Sequence, residues 1–293
     1  MARGGAAAAA VPLPAASGGV PLAYAGIDET WEERLPELVE ECAAQWDLTL
    51  EAPYSGGFVS HVVPAGDVVL KIQWPHRESE HEADALEHWQ GEGTVRLLAR
   101  DDERHVLLLE RCRPGTHLRE RALEVLVDLL PRLWKPAGPP FTSLADEAAW
   151  WVSTIRVEWE RAGKPFEEAL VDAAISILEE LAATQGEQVL VHQDLHPDNV
   201  LAAEREPWLV IDPKPLVGER EFAVAPVIRA SELGHNRRAV IERLDRLTSE
   251  LGLDRERERE RGWAIGQTIA WAVDSDFHAM HAETARWLLE AAR

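Results

Sequence analysis

The sequence predicts an α+β, bilobal fold: a small mixed β-sheet lobe followed by a larger, mainly helical lobe. Three observations point there. The first 110 residues read helix, strand, strand, helix, strand, strand; from Leu118 onward the apolar spacing lengthens into long helices; and a compact apolar island at residues 189–211 interrupts the helical half. A short sheet at the junction of two lobes borders a cleft, a usual place for a ligand.

The elements follow in order. Residues 1–24 are Ala/Gly/Pro-rich and are expected to form a disordered tail, because Pro12 and Pro14 interrupt a weakly apolar stretch. A cleaved export signal and a misassigned start codon are the alternatives. Trp31, Leu35, Leu38, Val39, Cys42 and Trp46 make one helical stripe. Phe58–Val63 and Val68–Ile72 read as strands around a turn at Pro64-Ala65-Gly66-Asp67. Glu78–Trp89 reads as a helix stopped by Gly91 and Gly93. Thr94–Ala99 and His105–Leu109 form a second strand pair. Helices are expected near 118–134, 144–163 and 167–185, then strands at Val189–Val191, Val200–Leu201 and Trp208–Ile211, then three further helical stretches. The alternating run Asp254–Arg261 reads as a solvated helix face.

With 293 residues and 46% hydrophobic content the chain can bury a sizeable core. Lys+Arg 30 against Asp+Glu 52 gives a net charge of −22, which repels phosphate backbones and excludes general nucleic-acid binding. Such a charge attracts cationic small molecules instead. Two cysteines, Cys42 and Cys112, make neither a disulfide framework nor a four-thiolate zinc site, and this fits a reducing compartment, with the cytoplasm as the expected location. No apolar run reaches the roughly 18 residues of a membrane helix.

His192-Gln193-Asp194-Leu195-His196-Pro197-Asp198-Asn199 lies between two strand-like runs, and Asp212 follows in Ile211-Asp212-Pro213. The order His-x-Asp-x4-Asn, strand, Asp is what phosphoryl transfer from a nucleotide requires. One carboxylate orients and deprotonates an acceptor hydroxyl, and an amide oxygen with a second carboxylate holds magnesium against the phosphates. Asp194 takes the first role, Asn199 and Asp212 the second. Cap and turn duties account for any one of these residues alone. A zinc site of His192, Asp194 and His196 is a further alternative, but it leaves Asn199 and Asp212 unexplained.

On residues 192–201 and on Glu206-Pro207-Trp208-Leu209-Val210-Ile211-Asp212-Pro213-Lys214-Pro215-Leu216-Val217-Gly218, the sequence resembles the aminoglycoside and hydroxyurea phosphotransferase family, a branch of the protein-kinase-like fold, and in particular its streptomycin-kinase-type members. Weaker similarity runs from about Asp28 to Trp287. The resemblance implies a kinase that uses ATP and Mg2+ to phosphorylate a hydroxyl of a cationic aminoglycoside or amino sugar. It implies a nucleotide-binding lobe with its hinge at 25–112 and a lobe at 113–293 carrying the catalytic loop and acceptor site. A kinase for an endogenous sugar or amino sugar and a nucleotide-binding pseudokinase are the competing functions, and a metal-dependent hydrolase the least favoured.

The resemblance also implies residue roles. Lys71 becomes the strand lysine that contacts the nucleotide phosphates, and a lysine inside an apolar strand is costly without a partner on any reading. Its partner is Glu82, with Glu78 and Glu80 as register alternatives. An edge-strand lysine reaching water is the plain explanation. Ser55-Gly56-Gly57 occupies the phosphate-covering loop, although an ordinary turn fits equally well. Glu110 and Cys112 fall at the hinge, where a backbone edge binds adenine, and a buried strand explains their leucine neighbours as well. Acceptor contacts are expected from Asp146, Glu147, Trp150, Trp151 and Glu158, and from Asp274, Asp276 and Glu283. Of the adjacent tryptophans at most one can point fully inward. Gln193 and Asp198 stand where glycine is frequent in relatives, and Ala223 stands where many carry a loop-bracing aspartate. Lys214 is either a second cation near the phosphates or a surface residue.

Overall fold

In a computed structural model, residues 29–55, 59–253, 258–273 and 277–291 are described. The tail expected at residues 1–24 lies outside them, as do Gly56, Gly57, Asp274 and Asp276.

The first lobe is built on a four-stranded sheet of β1 (Ser60–Ala65), β2 (Val68–Gln73), β3 (Leu97–Asp101) and β4 (Val106–Glu110), in the order β1-β2-β4-β3. Every pairing is antiparallel, so the mixture in this lobe is one of strands with helices and not of strand directions. The reason is connectivity. The chain returns from α2 (Glu82–Trp89) to the far edge as β3, and the tight β3–β4 turn then lays β4 beside β2. Gly66 at the β1–β2 tip has φ +61°, a left-handed conformation that a β-carbon disfavours. Pro64, expected in the turn, is paired within β1, which the sheet tolerates because β1 is an edge strand.

Alternation along β2 divides its neighbours. Leu70 and Ile72 pack with Leu38 and Cys42 of α1 (Glu29–Gln45), whereas Val69 joins Ala83 and Leu86 of α2 and Leu107 and Leu109 of β4. Lys71 shares a strand face with Val69 and so emerges on the α2 side.

The second lobe contains α3 (Ala122–Leu133), α4 (Leu144–Arg161), α5 (Glu168–Ala183), α6 (Ala225–Arg229), α7 (Arg237–Glu250), α8 (Arg259–Ala272) and α9 (His278–Glu290). Two short hairpin-like sheets sit among them, β5 (Val189–His192) with β8 (Pro215–Gly218), and β6 (Val200–Ala202) with β7 (Trp208–Val210). Most of α8 is buried. A β-carbon at Gly266 would lie 2.5 Å from Leu178 Cδ2, so only glycine permits this approach of α5 and α8.

The charge run at 254–261 is not a wholly solvated face. Asp254–Arg257 lie outside the described residues, but Arg259 and Glu260 are buried. Arg259 Nε donates to Glu219 Oε1 at 2.7 Å and Nη2 to the Leu181 carbonyl at 3.1 Å, while Glu260 accepts from Thr248 Oγ1 at 2.6 Å. Buried countercharges, not alternation of sign, decide which way these side chains turn.

The lobes meet through backbone. Val95 N donates to the Val210 carbonyl at 3.0 Å, and Val210 N to the Gly93 carbonyl at 2.8 Å. Leu209 of β7 enters the hydrophobic cluster beneath the first lobe's sheet. Among the described residues, no helix is long and apolar enough to cross a membrane.

Candidate active site

The two small sheets aim their turns at one place. Antiparallel pairing of β5 with β8 sets His192 opposite Pro215, and Gln193 N donates to the Lys214 carbonyl at 3.0 Å. Pairing of β6 with β7 similarly brings Ile211 N to the Asn199 carbonyl at 2.9 Å. Segments 193–199 and 211–214 therefore leave buried strands side by side, with Asp194, Asn199 and Asp212 on adjoining turns.

His192 folds inward and organises the first turn. Its Nδ1 accepts from Asp194 N at 3.0 Å, so the ring proton is assigned to Nε2. Burial lowers its proton affinity to a pKa of about 4, and the ring is neutral at physiological pH. Asn199 Nδ2 donates to the Asp194 carbonyl at 2.8 Å, which leaves Oδ1 as a hard oxygen donor. Behind the turn, Gln267 of α8, fully buried, donates through Nε2 to the Gln193 carbonyl at 2.7 Å. The loop is thus braced from α8, while Ala223 packs in the core.

Both carboxylate oxygens of Asp194 face cations. Lys214 Nζ lies 3.0 Å from Oδ2 and Arg229 Nη2 3.0 Å from Oδ1. Burial alone would raise this carboxyl, but Lys214 and Arg229 outweigh it and hold Asp194 below the usual aspartate range. Trp271 lies beneath both cations, with the Arg229 guanidinium 4.3 Å and the Lys214 ammonium 5.2 Å from its ring centroid.

Across the cleft, Lys71 Nζ is 2.8 and 2.7 Å from the two Glu82 oxygens and 2.5 Å from Asp212 Oδ1. The register alternatives Glu78 and Glu80 are not its partner. Gln73 Nε2 donates to Glu82 Oε2 at 2.5 Å and completes the buried group. Burial works against the Lys71 ammonium, yet the carboxylates of Asp212 and Glu82 more than compensate and raise its pKa. Asp212 adopts φ +52°, a left-handed backbone that Asp tolerates better than most residues. Burial acts to raise its carboxyl, but Lys71 and then Lys214 hold it far below the usual range. In a chain of net charge −22, two of the four lysines and Arg229 converge here, each paired with carboxylates among Glu82, Asp212, Asp194 and Glu78.

The remaining expectations divide. Ser55 is exposed on the segment before β1. The Glu110 carboxylate is bound by Arg205, Nη2 at 2.6 Å, so only the main chain of this segment remains to meet a ligand. Cys112 is buried, and burial pushes its thiol up to about 11. The zinc alternative is overturned, because the Asp194 carboxylate is taken by two cations and His192 Nδ1 by a backbone N–H. Among the described residues the His/Cys/Asp/Glu group that comes together is instead His196, Asp198 and Glu232, in which Glu232 pairs with His196 Nδ1 at 2.9 Å and Asp198 with Arg119 at 2.5 Å.

Most of the expected acceptor contacts on α4 serve the fold. Trp151 is buried against Phe222, Glu158 is buried beside Arg161, and Asp146 N is capped by Ser143 Oγ at 3.0 Å. Glu147 is buried and bound by Arg77, Nε at 3.1 Å, and burial pushes its carboxyl up to about 7. Their spacing puts residues 147, 151 and 158 on the helix face toward the core. Trp150, half-buried, carries Arg77 over its ring at 4.7 Å. Glu283 is exposed on α9.

The asparagine and aspartate oxygens facing the cleft fit a hard divalent cation and offer nothing to a soft one. Arg229, Trp271, Gln267 and the Lys214 contacts were not singled out from the sequence as parts of this site. Only Arg229 carried a signal, a cation inside the buried apolar run 222–230, the same anomaly that marks Lys71.

The family model described as aminoglycoside/hydroxyurea antibiotic resistance kinase matches residues 45–281. A streptomycin 6-kinase of Streptomyces griseus is 36% identical over 269 residues, spanning 85% of this chain and 87% of the relative. A hydroxyurea phosphotransferase of Kitasatospora aureofaciens is 37% identical over 287 residues, spanning 91% and 82%. A thermostable mutant of aminoglycoside phosphotransferase APH(4)-Ia, solved as a ternary complex with ADP and hygromycin B, superposes with TM-score 0.60 at 13% identity, covering 87% of this chain and 98% of that one. The last likeness establishes the bilobal kinase-like fold.

Proposed function

Because the chain belongs to the aminoglycoside/hydroxyurea antibiotic resistance kinase family, we propose that it transfers the γ-phosphoryl group of ATP to a hydroxyl of an aminoglycoside such as streptomycin, inactivating the drug. On this reading residues 25–112 hold the nucleotide, residues 113–293 carry the catalytic loop and acceptor site, and the reaction runs in the cytoplasm. One observation carries the proposal: Lys71 Nζ reaches both Glu82, at 2.7 Å, and Asp212, at 2.5 Å, while Asp194 and Asn199 stand on the adjoining turn.

Each residue then has a task. Lys71, held by Glu82, positions the nucleotide phosphates. The main chain between Glu110 and Cys112 supplies the edge for adenine. Asn199 Oδ1 and the Asp212 carboxylate hold Mg2+, which supplies neutralising charge to the phosphates. Asp194 orients the acceptor hydroxyl and takes its proton. Lys214 and Arg229 keep its carboxyl ionised before the acceptor arrives, so it can accept that proton. The pseudokinase alternative is disfavoured because Lys71, Asp194, Asn199 and Asp212 are all present.

A second acceptor has a specific observation behind it, the relative named hydroxyurea phosphotransferase, which matches 91% of this chain. Hydroxyurea offers an N-hydroxyl group in place of a sugar or cyclitol hydroxyl. The test incubates the full chain with ATP, Mg2+ and, separately, streptomycin, other aminoglycosides, amino sugars and hydroxyurea, with mass spectrometry of the acceptor. The proposal expects streptomycin or a close analogue to gain one phosphoryl group as ADP appears in equal amount. Modification of hydroxyurea alone selects the second acceptor, and modification of amino sugars alone an endogenous kinase. No modified acceptor at all refutes the kinase reading.

A further inference from the structure

We propose that Lys214 is a catalytic cation, whose ammonium leaves Asp194 and Glu78 to bind the phosphoryl group as that group passes from nucleotide to acceptor. The inference rests on the kinase reading above and adds a residue to it.

Position comes first. Lys214 lies two residues beyond Asp212, and its Nζ is 3.0 Å from Asp194 Oδ2. The ammonium therefore pairs with the carboxylate that meets the acceptor and acts at longer range on Asp212, the carboxylate that meets the phosphates. Its second partner is Glu78 Oε2, at 3.1 Å, on the short helical turn Arg77–Ser79 of the opposite lobe. The lysine thus spans the cleft that the transferring group must cross.

The two cations on Asp194 are not equivalent. Arg229 presents a planar guanidinium stacked on Trp271, and its side chain is 12% exposed. Lys214 ends in a compact ammonium on a flexible four-carbon stem, 15% exposed, with three donor protons to redistribute. Lys71, the other lysine at the site, is tied to Glu82 and Asp212 at the nucleotide end.

A functional conflict supplies the direction of movement. Both oxygens of Asp194 are occupied by cations, so an acceptor hydroxyl approaching Oδ2 competes with Lys214. The transferring phosphoryl group spreads negative charge over three equatorial oxygens and gives the ammonium a new partner as the hydroxyl arrives. Arg229 stays on Oδ1 and keeps the carboxylate oriented. In the step itself, the acceptor oxygen forms its bond to the γ-phosphorus and the bond from that phosphorus to the β,γ-bridging oxygen breaks. The electron pair of that bond leaves with ADP, the hydroxyl proton goes to Asp194, and Lys214 stays protonated throughout.

The test compares full-length wild type with Lys214→Met and Lys214→Arg, using the acceptor found active above. Transfer is measured in a single turnover, and binding of ADP is measured with and without aluminium fluoride, a mimic of the phosphoryl group in flight. Lys214→Met should transfer at least about 100-fold more slowly, the usual scale for deleting one preorganised donor. It should bind ADP within roughly threefold of wild type and lose the tightening that aluminium fluoride brings. Lys214→Arg should recover part of both. The inference is overturned if Lys214→Met transfers at the wild-type rate, or if it loses ADP affinity and thermal stability in step with rate, since that pattern marks a structural strut. A wild-type protein that phosphorylates nothing removes the kinase reading itself, and this inference with it. An active wild type with an unaffected Lys214→Met removes only this inference.

Discussion

Replacing Glu82 by glutamine keeps the shape of the side chain and deletes one charge from a buried cluster, so its consequences can be worked from the distances. At 2.7 Å and an effective dielectric constant of about 20, the Lys71–Glu82 attraction is roughly 6 kcal/mol before desolvation is subtracted. Removing one partner of a buried pair ordinarily costs about 3–5 kcal/mol, because the other charge is left stranded. Here it is not stranded. Asp212 Oδ1 lies 2.5 Å from the same ammonium, and a glutamine Oε1 still accepts a hydrogen bond from it. We therefore expect a stability loss of about 1–3 kcal/mol in urea unfolding, below the usual cost of a broken buried pair. The functional loss should be larger. Without its tether Lys71 is drawn toward Asp212 and away from the phosphates, and misplacement of a positioning group costs on the order of 100-fold in kcat/KM for ATP. A double-mutant cycle with Lys71→Met should give strong coupling, the second substitution adding little once the first is made. Glu82→Gln with wild-type ATP kinetics, or additivity in the cycle, would refute the assignment.

Two further predictions concern the scaffold. Gly266→Ala places a β-carbon 2.5 Å from Leu178 Cδ2, and it should destabilise the protein by about 1–3 kcal/mol as α5 and α8 are pushed apart; an unchanged urea midpoint would contradict the close-packed crossing. His281 is 7% exposed, and burial, then Arg229 and the neighbouring histidines, lower its pKa to about 3 from an ordinary 6.5. The unfolded chain takes up that proton as pH falls through 6.5 and the folded chain does not until about 3, so stability is lost on acidification across that window. Between pH 7 and pH 5 this one group accounts for about 2 kcal/mol. His281→Leu should flatten the dependence by that amount, and an unchanged slope would show the ring to be ionised in the folded state.

Which features were legible in the sequence follows from where their causes lie. Asp194, Asn199 and Asp212 could be read because their spacing is local and strands bracket it. Lys71 could be read because a charge in an apolar strand needs an explanation, and Glu82 followed from the resemblance. The Lys214–Glu78 link has no local signature, since it joins residues from opposite lobes that only folding brings within 3.1 Å. Gln267 looks like any polar residue on a helix, and its hydrogen bond to the Gln193 carbonyl exists because α8 is driven through the core against α5. Strand β8 was missed because it is four residues long, begins with Pro215 and ends with Gly218, and is specified by its partner β5 more than by its own propensity. Glu147, Trp151 and Glu158, expected on α4 as acceptor contacts, are buried for a related reason. Acidic and aromatic residues at helical spacing describe a core-facing stripe as readily as a binding face, and the packing of α4 against α5 and β8 chose the former.

Asp194 is expected to serve the transfer of a phosphoryl group and not the binding of the nucleotide. The most direct measurement is single-turnover transfer of the labelled γ-phosphoryl from ATP by Asp194→Asn, beside the ADP dissociation constant of the same protein. Transfer should fall by about 100-fold or more while ADP binding stays near the wild-type value. Transfer at the wild-type rate would contradict it.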